Sequence, residues 1–305
     1  MRTHPFFLFL RLSRPFFLLA GLLFYALGAG IARYLGVPLD PQQYILGQLF
    51  VSALQLSTHY LNEYFDGPAD VHNPHRTPFT GGSGVLGVGK GKLPYITALL
   101  AAAVTLTAAA LAAFFLSRSG TLNSAAFTIM LLGFAGAFFY SVPPLRLASS
   151  GFGELTTSIL LANLVPAFAF ILQSGNLHRL LPMSTFPLTA LILAAFLAFE
   201  LPDYASDLKS GKRTLLVRLG WRQAMRLHHF FILSAYALIG LAYMQGLPSA
   251  MALPVALTLP LGVLQIWYMR RIADGIKPNW TALTLNAVVL VSVVAYLLTY
   301  AFWTR

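Results

Sequence analysis

Residues 184–207 read STFPLTALILAAFLAFELPDYASD. No charge occurs from Ser184 to Phe199, and then three acids, Glu200, Asp203 and Asp207, arrive in quick succession. An apolar run of about 20 residues matches the hydrocarbon thickness of a bilayer when wound as an α-helix. The stretch therefore reads as a membrane-spanning helix with carboxylates at one end. The same E-x2-D-x3-D spacing closes an earlier apolar run at Glu63, Asp66 and Asp70. The chain has only nine acidic residues in 305, so two copies of one spacing claim six of them.

Composition extends this reading to the whole chain. With 57% apolar and 10% charged residues, too little polar surface is present to cover a water-soluble globule of this length. Nine stretches are long and apolar enough to span, at 14–35, 42–66, 93–117, 121–141, 152–174, 184–206, 223–244, 249–270 and 279–303. The expected fold is all-α, a polytopic bundle of nine transmembrane helices around a central cavity, with residues 1–305 forming one domain. Pro166, Pro187, Pro202, Pro254 and Pro260 lie inside these runs, where membrane helices tolerate proline and kink. The first run resembles a signal peptide in having Arg2, Arg11 and Arg14 ahead of it, but it continues to a spanning length. The chain has no cysteine, which excludes disulfides, thiol catalysis and Cys-ligated metals.

The basic residues orient the bundle. Sixteen of the 20 Lys and Arg fall in the N-terminus and the loops after the even-numbered spans, and four, Arg33, Arg118, Arg179 and Arg305, fall on the other side. The positive-inside rule places the N-terminus and both acidic clusters in the cytoplasm, and the C-terminus opposite. Lipid headgroups account for the net charge of +11 without a nucleic-acid partner.

Ionisable residues at membrane depth are costly and functional by default. Asn62, Glu63 and Asp66 share a helix face with His59, and Gly67-Pro68 is expected to break the helix so that Asp70 reaches back from a turn. Asp203 and Asp207 stand at i, i+4, where like charges repel and call for a cation. Hard oxygen ligands without Cys or suitably spaced His fit Mg²⁺, which favours carboxylates, waters and phosphate oxygens. A basic segment follows each cluster: His75-Arg76-Thr77 with the glycine loop Thr80–Gly84, and Lys209–Thr214, which contains Lys212 and Arg213. Glycines admit phosphate to backbone N–H groups and Lys or Arg supplies opposite charge, so acids, Mg²⁺ and bases together suit a diphosphate. The segment Gly84–Lys90 imitates a Walker loop, but Gly91 stands where Ser or Thr is required and no strand precedes it. A third element on this side runs from Tyr140 to Arg146, followed by Gly151-Phe-Gly-Glu154. Tyr140 suits either an interfacial anchor or a site residue.

These segments resemble the UbiA-type superfamily of intramembrane prenyltransferases. The likeness covers nearly the whole chain, and the glycine loop is most similar to the branch that prenylates 1,4-dihydroxy-2-naphthoate in menaquinone synthesis. It implies transfer of a polyprenyl group from an allylic diphosphate to an aromatic acceptor, with membrane lipid as the surrounding partner. By motif it implies that Asp66, Asp70, Asp203 and Asp207 hold Mg²⁺, that Asn62 joins them, and that Arg76, Arg146, Lys212 and Arg213 meet phosphate. Tyr140 would then lie beside the allylic carbon. Glu63 replaces the usual Asp, and Ala148 stands where Lys commonly follows the Arg-Leu pair. Glu63, His59 and Glu200 are candidates for acceptor binding or proton transfer. Other acceptors within the superfamily (4-hydroxybenzoate, homogentisate, chlorophyllide, haem, glycerol phosphate lipid) remain open, as do chain length and oligomeric state. A cation-coupled transporter is the alternative outside the family, although transporter sites usually lie near the bilayer midplane.

Overall fold

The computed structural model describes residues 4–70, 75–120 and 122–305, the side chains of residues 68–70 excepted. Among these residues the regular structure is helical, apart from one isolated bridge between Leu86 and Leu93. The helices are α1 (Pro5–Ser13), α2 (Pro15–Tyr34), α3 (Pro41–Asp70), α4 (Tyr95–Arg118), α5 (Ser124–Phe139), α6 (Gly153–Ile159), α7 (Val165–Ser174), α8 (Leu180–Ser210), α9 (Leu215–Leu219), α10 (Trp221–Met244), α11 (Ser249–Val255), α12 (Leu259–Ala273) and α13 (Trp280–Thr304). A π-helical turn, Leu160–Leu164, joins α6 to α7 just before Pro166, and a 3-10 turn, Ala256–Thr258, joins α11 to α12 between Pro254 and Pro260. Proline removes an intrahelical donor, and these wider or tighter turns absorb the mismatch. Pro187 and Pro202 sit inside α8 without interrupting it.

Among the described residues, seven helical runs are long and apolar enough to cross a membrane. The run Pro41–Asp70 has the length but carries Gln42, Gln43, Gln48, Gln55, His59 and Asn62, and Ser124–Phe139 is apolar but has only 16 residues. Large apolar side chains point outward, Val104 being 69% exposed and Phe230 61%. Outward apolar faces on this scale suit lipid rather than water.

Two sequence expectations are corrected. Gly67-Pro68 does not end α3, which runs on to Asp70. Pro68 removes one N–H, the donor to the Tyr64 carbonyl, and membrane helices tolerate such a loss where neighbouring groups satisfy the freed carbonyl. Gly67 serves instead as a contact surface: a Cβ there would stand 2.7 Å from Tyr95 Cε1, at the start of α4. The first span is also longer than expected, because α1 precedes it and Arg14, in the left-handed region at φ 47°, links the two helices.

The termini close the bundle. Helix α13 packs on α2 and α8, and Trp303 Nε1 donates to the Ala26 carbonyl at 2.8 Å. On its other side α2 packs tightly on α7, because Gly28 has no side chain: a Cβ there would stand 2.7 Å from the Pro166 carbonyl carbon. Backbone cannot yield as a side-chain tip does. Gly28→Ala is therefore expected to destabilise the protein by about 2 kcal/mol through forced separation of α2 and α7, measured as a lowered unfolding temperature in detergent. An unchanged temperature would mean that the two helices are not in backbone contact.

Candidate active site

The two acidic motifs, 137 residues apart in sequence, meet at one end of the bundle. On α3, His59, Asn62, Glu63 and Asp66 form one stripe. Asn62 Nδ2 donates to Asp66 Oδ2 at 3.0 Å and to Ser141 Oγ at 3.3 Å, which ties the stripe to the loop after α5. Opposite, α8 ends at Gly211, whose left-handed backbone (φ 71°) lets the chain reverse, and Lys212 N bonds back to the Asp207 carbonyl at 3.0 Å. The reversal aims the Lys212 side chain inward. Its Nζ lies 3.2 Å from Asp66 Oδ2 and 4.0 Å from Asp207 Oδ1, so one ammonium spans both motifs. Arg146 Nη2 approaches Asp66 Oδ1 at 3.8 Å from a left-handed backbone (φ 43°), a conformation that is uncommon outside glycine. Asp66 and Asp207 are both buried.

The glycine loop completes the rim. Thr77 Oγ1 accepts from the amides of Phe79 and Thr80 and turns the chain, and consecutive left-handed residues Gly81 and Gly82 carry it across to α8. There Gly81 N donates to Asp203 Oδ2 at 3.1 Å. On the α3 side the loop is held by Glu63, whose Oε1 and Oε2 accept from Ser83 N and Ser83 Oγ, both at 2.6 Å. Glu63 also pairs with Arg14, and Arg11 Nη2 donates to the Ser83 carbonyl at 3.2 Å. Arg76 lies against Gly84, where any side chain would meet its guanidinium. The Walker-like stretch is a loop closed by Leu93 N on the Val85 carbonyl.

Aromatic rings link α3, α2, the glycine loop and α8 in sequence. His59 is edge-on to Phe17 at 5.8 Å, Phe17 to Phe79 at 6.2 Å, Phe79 stacks near Phe199 at 6.4 Å, and Phe199 meets Phe196 at 5.9 Å. Tyr140, half-buried at the end of α5, pairs with Thr157 of α6, with Glu154, Asp66 and Glu200 in its surroundings.

The structure thus brings Asn62, Asp66, Asp207, Lys212 and Arg146 together, with Asp203 on the glycine loop and Tyr140 beside them. Arg76 and Arg213 are exposed at the rim. Glu63 and Glu200 are engaged by the chain itself, Glu200 Oε2 accepting from Leu216 N at 2.9 Å. The expected reach of Asp70 falls outside the described side chains, as does His72. Glu154 was passed over in the acid motifs. Its signal was available, since it is one of only nine acids and opens a spanning run.

Among the described residues no three acids or histidines enclose a metal by themselves. The donor chemistry still fits Mg²⁺, which takes one or two carboxylates and fills its shell with water and phosphate oxygens. Asp66 and Asp207 offer such oxygens around a position that already accommodates a cationic group.

The family model described as the UbiA prenyltransferase family matches residues 21–282. The chain belongs to the UbiA prenyltransferase family. It is accordingly a prenyltransferase and an integral membrane protein. A 1,4-dihydroxy-2-naphthoate octaprenyltransferase of Bacillus subtilis (strain 168) is 26% identical over 217 residues, covering 71% of this chain and 67% of that one. A UbiA homolog from Archaeoglobus fulgidus, solved bound to GPP and Mg²⁺, superposes with a TM-score of 0.66 at 18% identity, covering 95% of this chain and 99% of that one. A digeranylgeranylglyceryl phosphate synthase superposes with a TM-score of 0.64 at 15% identity, covering 94% and 93%. At these identities the two structures speak for the UbiA fold.

Proposed function

We propose that the protein transfers a polyprenyl group from an allylic polyprenyl diphosphate to an aromatic acceptor in a Mg²⁺-dependent reaction, with 1,4-dihydroxy-2-naphthoate as the acceptor. The observation that carries the reading is the convergence of Asp66 and Asp207 on Lys212, with Arg146 alongside. An anion-binding surface made of acids makes sense only with a metal, and the basic side chains supply the remaining positive charge. The Bacillus relative supports the naphthoate acceptor, as does the composition of the glycine loop. Likeness to a digeranylgeranylglyceryl phosphate synthase supports a wider range of acceptors on the same scaffold.

In this reading Asp66, Asp70, Asp203 and Asp207 hold Mg²⁺ on the diphosphate, with Asn62 orienting Asp66. When bound, the metal neutralises charge on the departing diphosphate. Lys212, Arg146, Arg76 and Arg213 add charge to the same leaving group, the electrostatic help such a departure needs. As the C–O bond breaks, the allylic carbon becomes cationic. Tyr140 and the rings of Phe17, Phe79 and Phe199 face that charge with electron-rich π surfaces. The acceptor's ring carbon attacks, forming the C–C bond, and its carboxylate leaves as carbon dioxide to restore aromaticity. For an acceptor without that carboxylate a proton leaves instead, to His59 or a solvent base. The apolar bundle keeps water from the cation.

Nine membrane crossings around a central cavity, with the N-terminus and site cytoplasmic, complete the proposal. Both motifs stand at helix ends beside phosphate-suited loops, and this favours prenyl transfer over ion passage. The test is purified protein with labelled polyprenyl diphosphate, Mg²⁺ and a panel of aromatic acceptors. Product that requires Mg²⁺ and is greatest with 1,4-dihydroxy-2-naphthoate is expected; preference for another acceptor would replace that assignment, and no product with any acceptor would overturn the reading.

A further inference from the structure

Glu154 and Glu200 come from different helices and end on consecutive amides. Leu215 N donates to Glu154 Oε1 at 2.7 Å, and Leu216 N donates to Glu200 Oε2 at 2.9 Å. The two carboxyl groups lie against each other, and both residues are buried, at 3% and 9% exposure. Glu154 Oε2 is enclosed and meets no amide or hydroxyl donor among the described residues, which leaves the Glu200 carboxyl as its neighbour. Leu215 and Leu216 open α9, a helix of only five residues. So short a helix has little stability of its own and depends on anchors. Thr214 already provides an ordinary side-chain cap to Val217 N at 3.4 Å. Two further buried carboxyls exceed what capping alone requires, because desolvating them is costly.

What they hold in place is the strap Gly211–Thr214 between α8 and α9. That strap carries Lys212 and Arg213. One end is fixed by Lys212 N on the Asp207 carbonyl, and Arg213 N bonds to the Ser149 carbonyl at 3.0 Å. The other end is fixed by the two glutamates. Lys212 reaches Asp66 from this strap alone, so its placement depends on both ends.

We propose that Glu154 and Glu200 form a paired clamp that fixes the Lys212–Arg213 strap over Asp66 and Asp207, making both glutamates positioning residues for the diphosphate of the prenyl donor. The identity of that anion rests on the function proposed above, whereas the clamp does not. Glu154→Gln should preserve the arrangement, because its amide oxygen still accepts from Leu215 and its NH₂ faces the oxygens of Glu200. Glu154→Ala removes the anchor.

Two measurements on the purified full-length protein decide the matter. Tryptic cleavage at Lys209, Lys212 and Arg213 is expected to be about tenfold faster in Glu154→Ala and unchanged in Glu154→Gln, as local opening rises when an anchor is lost. With geranyl diphosphate as donor, Glu154→Ala is expected to lower kcat about tenfold with KM within about threefold, because the displaced strap no longer meets the charge on the departing diphosphate. Adding Glu154→Ala to Lys212→Met should cost little more than Lys212→Met alone, because both act through one side chain. Equal impairment in the Gln and Ala variants, additive effects in the double variant, or an unchanged cleavage rate would overturn the clamp. If Glu154→Ala does not yield folded protein, Glu154→Asp gives the same readouts, since it withdraws the carboxylate from Leu215 by one methylene. Absence of turnover in the unmodified protein would count against the proposed function only, and strap cleavage would still decide the clamp.

Discussion

Asp66→Asn is expected to lower kcat for prenyl transfer by about 10³-fold, the scale seen when a preorganised electrostatic contact to a reacting group is removed, while the protein stays folded. Asp66 is where three elements converge: Asn62 from its own helix, Lys212 from the strap and Arg146 from the loop after α5. An amide keeps the size of the side chain and one acceptor oxygen, so packing survives. The negative charge does not, and with it goes the means of holding a divalent cation between the two motifs. Lys212 still has Asp207 nearby, which limits the cost to stability. Asp203→Asn is expected to behave alike, because its remaining oxygen can still accept from Gly81 N and only the charge is tested. Turnover at saturating Mg²⁺, with unfolding temperature measured in parallel, checks both; near-normal turnover in either variant would remove that residue from the metal site.

Glu63→Ala is expected to act on stability first. Glu63 is 3% exposed and pairs with Arg14 while accepting twice from Ser83. Removing one member of a buried ion pair strands the other, at a cost of about 3 kcal/mol. The loss should appear as a lowered unfolding temperature and as faster proteolysis of the glycine loop, which loses its attachment to α3 but keeps Gly81 on Asp203. Glu63→Gln should fall between the two, since an amide oxygen can still accept from Ser83 N. A melting temperature unchanged by Glu63→Ala would mean that Arg14 and Ser83 find other partners.

Seven of the expected spans were legible in the sequence because hydrocarbon thickness fixes helix length, as Tyr95–Arg118 for 93–117 and Trp221–Met244 for 223–244 show, whereas the helices over 42–66 and 121–141 are too polar or too short to count as spans by length and composition. The acid motifs were legible because carboxylates are scarce. What stayed hidden depended on backbone reversals that no residue type announces. Arg14 and Arg146 adopt positive φ without being glycine, so neither the α1–α2 junction nor the approach of Arg146 to Asp66 has a local signature. Pro68 reads as a helix end because proline usually is one, yet α3 runs on through it to Asp70, as helices in membranes can. Glu63 and Glu200 share the spacing of the aspartates, yet each turns to backbone amides supplied by a distant segment. Glu154 matters only because the chain after α8 returns to it, a long-range contact that spacing cannot encode.

The first helix turns Phe6, Phe7, Phe9 and Leu10 outward, each at least 40% exposed, while Arg11 and Arg14, at its far end, grip the loop that bonds Asp203. Mechanically this is a lever with one arm in the surrounding medium and the other on the rim of the site. Gly81 is thus joined, through Ser83 and the two arginines, to a helix whose outer face meets whatever surrounds the bundle, bilayer or micelle.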